Sequence, residues 1–411
     1  MKLNILKSGA LRDCTSCQMC AAVCPTSAID IRLNEDGFYR PYVDEEKCID
    51  CGVCVRSCYK YDNNIRQTKD IQNKKIYAAW AKDSQIVKKT TSGGIADVLA
   101  KSLIDKGYKC IGVIYDTSAD CAIGKVASTQ NDIISFRGSK YIQSLSFNAF
   151  KTLVKECKND KFAVFGLPCQ IYAIDRFLRN RHIRESHILI DLFCHGCPSL
   201  NIWTKYIQDI KTKYNAKSII STDFRSKIRG WGAFYVVVVV VEGVSHPITI
   251  KSPRIGDKFY ELFFSDQVLN DSCPSCACRS TLEYTDLRLG DFWGNQYLTN
   301  HKGVSAVCIG SSRGQDIIND IAPNLNMESQ SMANFLPYQS YGRTYPVNSS
   351  LRQRMLSVLN SPNGSLEEAI QLYHSSWSFK QRILRQLKNF VKLTPPSVIS
   401  GVKAIIYKLR K

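Results

Sequence analysis

The N-terminal part of the chain contains two runs of cysteine with the same spacing. Each run reads CxxCxxCxxxC; Pro25 follows the first run, and Tyr59 stands where a second proline would repeat the pattern. Three thiolates on one tight loop can bind three irons of a 4Fe-4S cubane, while the fourth cysteine of the run reaches the other cluster. The spacing therefore predicts two clusters, one on Cys14, Cys17, Cys20 and Cys58 and the other on Cys48, Cys51, Cys54 and Cys24. Zinc is the alternative for such cysteines, and the duplicated run disfavours it.

Four later cysteines lie where an α/β domain binds its ligands. The segments KFAVFG and SHILIDLF have the pattern of buried strands, and Cys169 and Cys194 follow their ends. In open α/β sheets, ligands bind beyond the carboxyl ends of the strands. Cys273 and Cys276, in a turn-rich segment, complete four thiols, which predict a third 4Fe-4S cluster. A redox disulfide between Cys194 and Cys197, or a zinc site, is the alternative. Four further cysteines are interpreted as small buried hydrophobic residues: Cys110, Cys121, Cys157 and Cys308.

Two loops have residues that suit a phosphate or an aromatic cofactor. In KKTTSGG, Ser92, Gly93 and Gly94 precede the helical pattern IADVLAKSLID, and backbone N–H groups at a helix N-terminus favour an anion. The segment FRGSKYIQS adds Lys140 and Tyr141, a cation and an aromatic ring. The same residues are also typical of an ordinary helix cap and of a solvated basic loop. No GxGxxG follows a strand, so a Rossmann dinucleotide site has no support.

The order of these motifs resembles a known family. TSGG, RGSKY, GLPCQ, FCHG, CPSC and GDFWG, behind the two cysteine runs, are similar to the beta-subunit family of coenzyme F420 hydrogenases and dehydrogenases, over roughly residues 11–295. The resemblance implies an oxidoreductase that passes electrons between a two-electron donor, typically the reduced deazaflavin coenzyme, and one-electron carriers. Its implied FAD residues are Ser92, Gly93 and Gly94, with Gly138, Ser139, Lys140 and Tyr141 nearby. It also implies that the internal cluster lies among Cys169, Cys194, Cys273 and Cys276, whereas Cys197 and Cys278 depart from the family pattern and are interpreted as spare thiols.

Three residues are candidates for the chemistry of that site. A flavin accepts a hydride and a cubane moves single electrons, so the two in series convert two-electron chemistry into one-electron steps. His195 in FCHG and Asp291 and Trp293 in GDFWG are expected to line the site. His195 is the candidate proton donor, or the hydrogen-bond donor to a cluster sulfur. The alternatives are a structural histidine and an aspartate that only caps a turn.

The whole chain is predicted to be α/β in its main part and α+β overall, because apolar runs alternate with helical patterns after the cysteine runs. The first segment, from about residue 11 to residue 60, resembles a bacterial-type two-cluster ferredoxin. The predicted parts are a 4Fe-4S ferredoxin-type domain at 1–65, a polar linker at 66–75, a flavin and iron-sulfur domain at 76–335 (with N- and C-terminal parts at about 76–155 and 156–335), and a C-terminal extension with basic amphipathic helices at 336–411.

Composition limits the location and the partners. Eighteen cysteines without a secretory signal favour a reducing cytoplasm over a disulfide scaffold. The longest apolar run, Ala233 to Val241, is less than half of the roughly 20 residues that a membrane-spanning helix needs, so it predicts a buried strand. The formal charge of +19 favours acidic partners.

The C-terminal end is strongly basic. From Trp377 to Lys411 there are nine Lys or Arg residues and no acidic ones, and the apolar residues form two helical faces. Such helices pack against the main domain or a partner protein, or lie on an anionic membrane, here the inner face. No nucleic-acid motif accompanies the charge, so nucleic-acid binding is not predicted.

Two classes of function follow from these residues. The first is an iron-sulfur flavoenzyme that exchanges electrons with a redox partner protein or a small hydride donor or acceptor. The second is a ferredoxin-type adaptor that docks onto a larger redox complex and has no catalysis of its own. The enzyme predicts FAD and about twelve irons per chain, whereas the adaptor predicts about eight irons and no flavin.

Overall fold

The structure is a computed structural model that describes residues 4–8, 14–62, 65–233, 235–242, 247–297, 299–379 and 381–383. Its strands are β1 (Ile29–Leu33), β2 (Tyr39–Val43), β3 (Ile76–Ala81), β4 (Tyr108–Asp116), β5 (Cys121–Ala127), β6 (Ser144–Leu145), β7 (Lys161–Gly166), β8 (Ile188–Leu192), β9 (Ala216–Ser226), β10 (Tyr235–Glu242), β11 (Pro247–Pro253), β12 (Leu287–Asp291), β13 (Ser305–Ile309) and β14 (Leu325–Gln330).

The α-helices are α1 (Met19–Ala22), α2 (Val53–Ser57), α3 (Ser84–Lys89), α4 (Ile95–Asp105), α5 (Gln130–Ile133), α6 (Phe147–Glu156), α7 (Pro168–Asn180), α8 (Leu200–Lys213), α9 (Lys258–Phe263), α10 (Ser312–Ile321), α11 (Met332–Phe335), α12 (Ser349–Asn360) and α13 (Leu366–Ser375). Short 3-10 helices cover Tyr59–Tyr61, Ile71–Asn73, Ile134–Phe136, Arg184–Ser186, Trp231–Ala233, Ala277–Ser280, Asn295–Tyr297, Ala322–Asn324 and Leu336–Tyr338.

A large mixed sheet forms the centre of the main domain. Its strand order is β14-β3-β13-β12-β8-β7-β4-β5-β6. The central strands β12, β8, β7 and β4 run parallel, while antiparallel pairs flank them on both sides. Residues such as Val164, Leu189 and Ile190 are fully buried, as expected for parallel strands that are covered on both faces. The predicted α/β class is confirmed, and the antiparallel flanks give the chain its α+β character.

Local patterns predicted several of these elements. The helix expected over IADVLAKSLID is α4, and its apolar residues Ile95, Val98, Leu99 and Leu103 are all buried. The apolar run at 233–241 forms β10, the central strand of a separate antiparallel sheet, β11-β10-β9. Only alternate valines of β10 are buried, namely Val236, Val238 and Val240. The strand is confirmed, but one face of it alone packs on the core, since an antiparallel sheet can leave its other face uncovered.

The N-terminal module packs directly on the main domain. Its hairpin, β1 with β2, lies beside the two cysteine runs, and α1 packs on α6. The side chain of Gln18 accepts hydrogen bonds from the backbone N–H groups of Ser146 (2.6 Å) and Phe147 (2.9 Å) and donates to the carbonyl of Ser144 (2.7 Å). Asp62 forms an ion pair with Arg176 of α7 at 2.9 Å. These contacts fix the cysteine runs relative to the large sheet.

The polar segment 66–75 is held by hydrogen bonds along the main domain. The backbone N–H of Arg66 donates to the Tyr284 hydroxyl at 2.7 Å, and the Thr281 hydroxyl donates to the carbonyl of Arg66 at 2.6 Å. The Thr68 hydroxyl accepts from the backbone of Leu282 at 2.7 Å. The segment therefore follows the loop that carries the later cysteines.

The C-terminal extension begins with two helices that cover the core. Met355 and Leu359 of α12 and Ala369 of α13 are buried in the cluster that also contains α8 and α9. Phe379 and Ile383 are exposed at the last described residues. Most of the predicted basic amphipathic segment, residues 384–411, lies outside the described residues. No helix in the described ranges is long and apolar enough to span a membrane.

Candidate functional site

Four cysteines of the N-terminal module line one cavity. Cys14, Cys17 and Cys20 come from the first run, and Cys58 comes from the end of the second run, just after α2. Left-handed backbone at Ser16 and Gln18 bends the first run into the tight loop that three ligands require. Cys58 of the second run therefore joins three cysteines of the first run, which is the crossed arrangement that the spacing predicts.

The thiols of this first group are close enough to affect each other electrostatically. Burial, and then the charges of Cys58 and Cys14, raise the pKa of Cys17 to about 12. Burial also raises the pKa of Cys58, to about 11. Cys14 accepts a hydrogen bond from the backbone N–H of Ser16 at 3.4 Å. Since iron binds thiolates, these thiols must lose their protons when a cluster binds, and the positive iron atoms then offset the repulsion between the thiolate charges.

The second group contains Cys24, Cys48, Cys51 and Cys54. Burial raises the pKa of Cys54, and the charges of Cys51 and Cys24 add to this effect. Cys24, the last cysteine of the first run, therefore lies close to the cysteines of the second run. The backbone N–H of Ala28 donates to the Cys24 sulfur at 3.2 Å. Cys51 is exposed, so this group lies at the surface of the module.

The internal group forms where β7 and β8 end side by side. Cys169 lies in the first turn of α7, which starts at Pro168, and Cys194 follows β8 by two residues. Burial, and then the charges of Cys273 and Cys276, raise the pKa of Cys194 to about 12. Burial, and then the charges of neighbouring cysteines that include Cys276 and Cys194, likewise raise the pKa of the half-buried Cys169. The four predicted ligands of the third cluster are thus brought together.

Cys197 and Cys278 lie in the same group, which the sequence did not indicate. The backbone N–H of Cys197 donates to the Cys273 sulfur at 3.3 Å. Burial, and then the charges of Cys273, Cys194 and Cys276, raise the pKa of the Cys197 thiol. Cys278 is buried and hydrogen bonds to Cys276. The description of these two residues as spare thiols concerns ligation alone, since neither is remote from the predicted ligands.

A pairing of two loops that are distant in sequence explains the position of Cys197. Pro198 forms an isolated antiparallel bridge with Leu269, and Asn270 donates its backbone N–H to the carbonyl of Cys197 at 2.8 Å. The bridge places the loop after β8 against the loop that carries Cys273. All eighteen cysteines lie in the described residues and none forms a disulfide, so the alternative of a Cys194–Cys197 bond is absent from this structure.

The three cysteine groups adjoin one another. The charge of Cys17 acts on Cys169, which links the internal group to the first group. The charge of Cys54 acts on Cys20, which links the first group to the second. Among the described residues, no three Cys, His, Asp or Glu side chains converge as they would around a single metal ion. In a cubane each thiolate binds a different iron atom, so such convergence is not required.

The two loops proposed for a cofactor meet at the N-terminus of α4. The backbone N–H of Ser139 donates to the Thr91 hydroxyl at 2.9 Å. Arg137 binds Asp97 of α4 through two hydrogen bonds, at 2.7 and 3.2 Å. Gly94 is the N-cap residue, with φ +86°, and Gly138 has φ +80° with open space where a side chain would stand. The backbone N–H groups at the N-terminus of α4 therefore lie beside the loop that contains the open position at Gly138.

Ser92 and Gly93 hold this loop on the sheet. The Ser92 hydroxyl donates to the carbonyl of Val304 at 2.8 Å, and the backbone N–H of Gly93 donates to the Ser305 hydroxyl at 2.9 Å. A Cβ at Gly93 would stand 2.3 Å from the carbonyl oxygen of Ala79, so only glycine fits. These two polar groups are therefore satisfied by the protein itself.

Two lysines bring positive charge to the same region. Lys140 donates to the carbonyls of Phe136 (3.0 Å) and Arg137 (2.9 Å), and burial lowers its pKa to about 8. Lys227 donates to the carbonyl of Ser92 at 2.7 Å, and burial, followed by the charge of Arg225, lowers its pKa to about 8. Sequence reasoning missed Lys227, because no motif surrounds it.

Asp291 and Trp293 lie together beside Arg225. Asp291 forms an ion pair with Arg225 and accepts a hydrogen bond from the indole N–H of Trp231 at 2.8 Å. Trp293 stacks on Trp231 with ring centroids 4.4 Å apart, and the guanidinium of Arg225 lies 4.9 Å from the Trp293 ring. Tyr141 hydrogen bonds to Arg225. The carboxylate of Asp291 is thus engaged in holding a buried cation.

His195 and Tyr141 share Phe263 as a neighbouring ring. The Phe263 ring is 5.6 Å from the Tyr141 ring and 5.2 Å from the imidazole. The Nε2 atom of His195 is 2.7 Å from the Asp266 carboxylate, and Tyr345 packs 4.5 Å from the imidazole. The three predicted catalytic residues therefore form two neighbouring sets, with Asp291 and Trp293 in one and His195 in the other.

Comparison with known families identifies the two parts of the chain. The description "Coenzyme F420 hydrogenase/dehydrogenase, beta subunit" applies to the matches over residues 76–151, for its N-terminal part, and 159–334, for its C-terminal part. A 4Fe-4S dicluster domain matches residues 13–60. Together these matches cover most of the described chain.

Individual relatives carry related names. One subunit of the F(420)H(2) dehydrogenase of Methanosarcina mazei is 23% identical over 313 residues, which is 71% of this chain and 80% of that protein. The beta subunit of the coenzyme F420 hydrogenase of Methanococcus voltae is 27% identical over 242 residues, 56% of this chain and 78% of that protein. A chain of the F420-reducing NiFe hydrogenase complex from Methanosarcina barkeri is 20% identical with a TM-score of 0.43, covering 79% of this chain and 96% of that chain.

Proposed function

We propose that this chain, which belongs to the coenzyme F420 hydrogenase/dehydrogenase beta-subunit family, passes electrons between a two-electron donor and one-electron 4Fe-4S clusters, with FAD between them. The donor that we propose is reduced coenzyme F420 or a similar hydride donor. The observation that carries the proposal is the row of three adjoining cysteine groups, from the internal group through Cys17 to the surface at Cys51.

The cysteine groups support three clusters. Four thiols line the cavity of the first group, and the internal group gathers more thiols than one cubane needs. A protein that only docked a ferredoxin would have no reason to collect thiols at the ends of β7 and β8. The ligands that we propose for the internal cluster are Cys169, Cys194, Cys273 and Cys276.

The loops at the N-terminus of α4 suit a diphosphate. Gly94 and Gly138 offer backbone N–H groups near a helix N-terminus, which favours anions, while the N–H of Ser139 ties the two loops together through Thr91. Lys140 and Lys227 add charge, and an anion bound there would raise their lowered pKa values. Bound FAD would supply the conversion between a hydride and single electrons. Ser92 and Gly93 keep the loop in position, and Tyr141 and Trp293 present aromatic surface beside it.

The remaining polar residues have separate roles in this proposal. Asp291 orients Arg225, which places a cation beside Tyr141 and Trp293. The Asp266 carboxylate orients the imidazole of His195 through Nε2, in a region that is otherwise lined by aromatic rings. We propose a cytoplasmic protein whose electron acceptor is a partner redox protein, because the relatives are named as subunits of hydrogenases and dehydrogenases.

Reduced coenzyme F420 tests the proposal directly. Under anaerobic conditions, one equivalent of the reduced coenzyme is expected to bleach the flavin absorbance of the protein and then its broad iron-sulfur absorbance. Rapid-mixing absorbance spectroscopy would measure both changes. NADH is the comparison, and the family membership predicts slower reduction by it. A protein whose clusters accept electrons from dithionite, but which oxidises neither donor and holds no flavin, would contradict the proposal and favour the adaptor.

A further inference from the structure

We propose that Arg279 is the counter-charge of the internal cluster and raises its reduction potential. The inference rests on the proposed function, because it requires the internal cluster. Arg279 belongs to the 3-10 helix Ala277–Ser280, directly after Cys276 and Cys278, and only 3% of its surface is exposed. A guanidinium in that position is charged at every physiological pH and has little water to solvate it.

No carboxylate neutralises this cation. Within the described residues, the guanidinium of Arg279 has no Asp or Glu within ion-pair distance, whereas the other deeply buried arginines each have one. Those pairs are Arg184 with Asp175 and Asp286, Arg225 with Asp291, and Arg288 with Asp191. Because a buried charge without a counter-charge is strongly destabilising, the structure calls for an anion beside Arg279.

Backbone carbonyls hold the guanidinium in place. One terminal nitrogen, Nη2, donates to the carbonyls of His195 (2.9 Å) and Cys273 (2.5 Å). The other, Nη1, donates to the carbonyls of Pro274 (3.5 Å) and Arg343. The Tyr345 ring covers one face at 4.5 Å. The carbonyls come from three loops, so the position of the charge is fixed before any cofactor binds.

The groups beside Arg279 that can supply this anion are the cysteines of the internal group. The guanidinium is held by the carbonyl of Cys273 itself and by that of His195, which follows Cys194, and the 3-10 helix that contains Arg279 begins directly after Cys276. The remaining donor, Nε, is buried and has no hydrogen-bond partner in the part of the chain that the structure describes. A cluster held by these cysteines supplies both missing features, a negative charge for the guanidinium and sulfur acceptors for Nε.

A fixed cation beside a cluster favours the form with one more electron. Net charge and hydrogen bonds to sulfur are two of the properties that set cluster potentials, and both act in the same direction here. Arg279 therefore makes the internal cluster a better electron acceptor than a cluster without this residue would be. Its effect is on the potential of the cluster and not on a substrate.

The test is a redox titration followed by electron paramagnetic resonance, on full-length protein with its clusters. In Arg279→Gln, we expect the equilibrium between oxidised and reduced internal cluster to shift toward the oxidised form by at least tenfold, which is about 59 mV for one electron. Arg279→Lys should recover most of this shift. The two ferredoxin clusters should keep their potentials and serve as internal references.

Arg352 provides a matched control. Its charge also acts on Cys273, and it also donates to backbone carbonyls, but Asp271 neutralises it at 2.6 Å. Arg352→Gln should leave the potential of the internal cluster unchanged. An equal shift in Arg352→Gln and Arg279→Gln would overturn the specific role of Arg279.

Iron content separates this inference from the proposed function. Wild-type protein with about eight irons would contradict the internal cluster itself. With about twelve irons in wild type and in Arg279→Gln, an unchanged potential would overturn the inference alone. Loss of the internal cluster in both Arg279→Gln and Arg279→Lys would also overturn it, because the residue would then serve the loops and not the charge. Loss in the glutamine variant with retention in the lysine variant would support it.

Discussion

Replacing Cys194 by alanine is expected to remove the internal cluster and to lower the iron content from about twelve to about eight atoms per chain. Cys194 lies two residues after β8, half-buried and close to Cys273 and Cys276. The ferredoxin clusters have ligands of their own and should remain. Iron assay and Mössbauer spectroscopy on anaerobically purified protein would measure the loss.

Two comparison variants make this result specific. Cys110→Ala changes a fully buried cysteine of β4, outside the three groups, and should keep all the iron. Cys197→Ala should also keep it, because Cys197 contacts the Cys273 sulfur through its backbone N–H, which alanine retains. Equal losses in Cys194→Ala and Cys197→Ala would contradict this assignment and would indicate that both cysteines of the CxxC pair are ligands.

Double substitutions in the N-terminal module are expected to separate crossed from uncrossed ligation. Cys14→Ala with Cys58→Ala removes two ligands of one cluster, so one of the two ferredoxin clusters should remain intact. Cys14→Ala with Cys24→Ala removes one ligand from each, so neither should remain as a 4Fe-4S cluster. The physical reason is that Cys58 lies in the cavity of the first run, while Cys24 lies with Cys54.

The two double variants control for each other, since both carry Cys14→Ala and one further loss in the same small module. Mössbauer spectroscopy counts the intact clusters in each. If each run bound its own cluster, the outcomes would be exchanged, with one cluster left in the variant that lacks Cys24 and none in the variant that lacks Cys58.

Features that depend on neighbouring residues could be predicted from the sequence. The spacing of the cysteine runs, the apolar face of α4 and the strand patterns of β7 and β8 are local, and the elements form as expected. The convergence of Cys169 and Cys194 follows from one topological rule, that parallel strands present their carboxyl ends at one edge.

Features that depend on distant contacts could not be predicted. Cys197 reaches the internal group through the bridge between Pro198 and Leu269, which no local pattern indicates. Lys227 and Arg279 are two of 55 lysines and arginines, and their burial arises only from the packing of loops that are far apart in sequence. The loop at Ser92 and Gly93 is a related case. Its sequence does not show that the Ser92 hydroxyl and the Gly93 N–H are already bonded to Val304 and Ser305 of the protein.

The cofactor content of the wild-type protein tests the central claim most directly. The protein should be purified without oxygen, its clusters should be reconstituted, and iron and acid-released flavin should be measured per chain. The proposed electron-transfer enzyme predicts about twelve irons and about one FAD per chain. About eight irons and no flavin would contradict it.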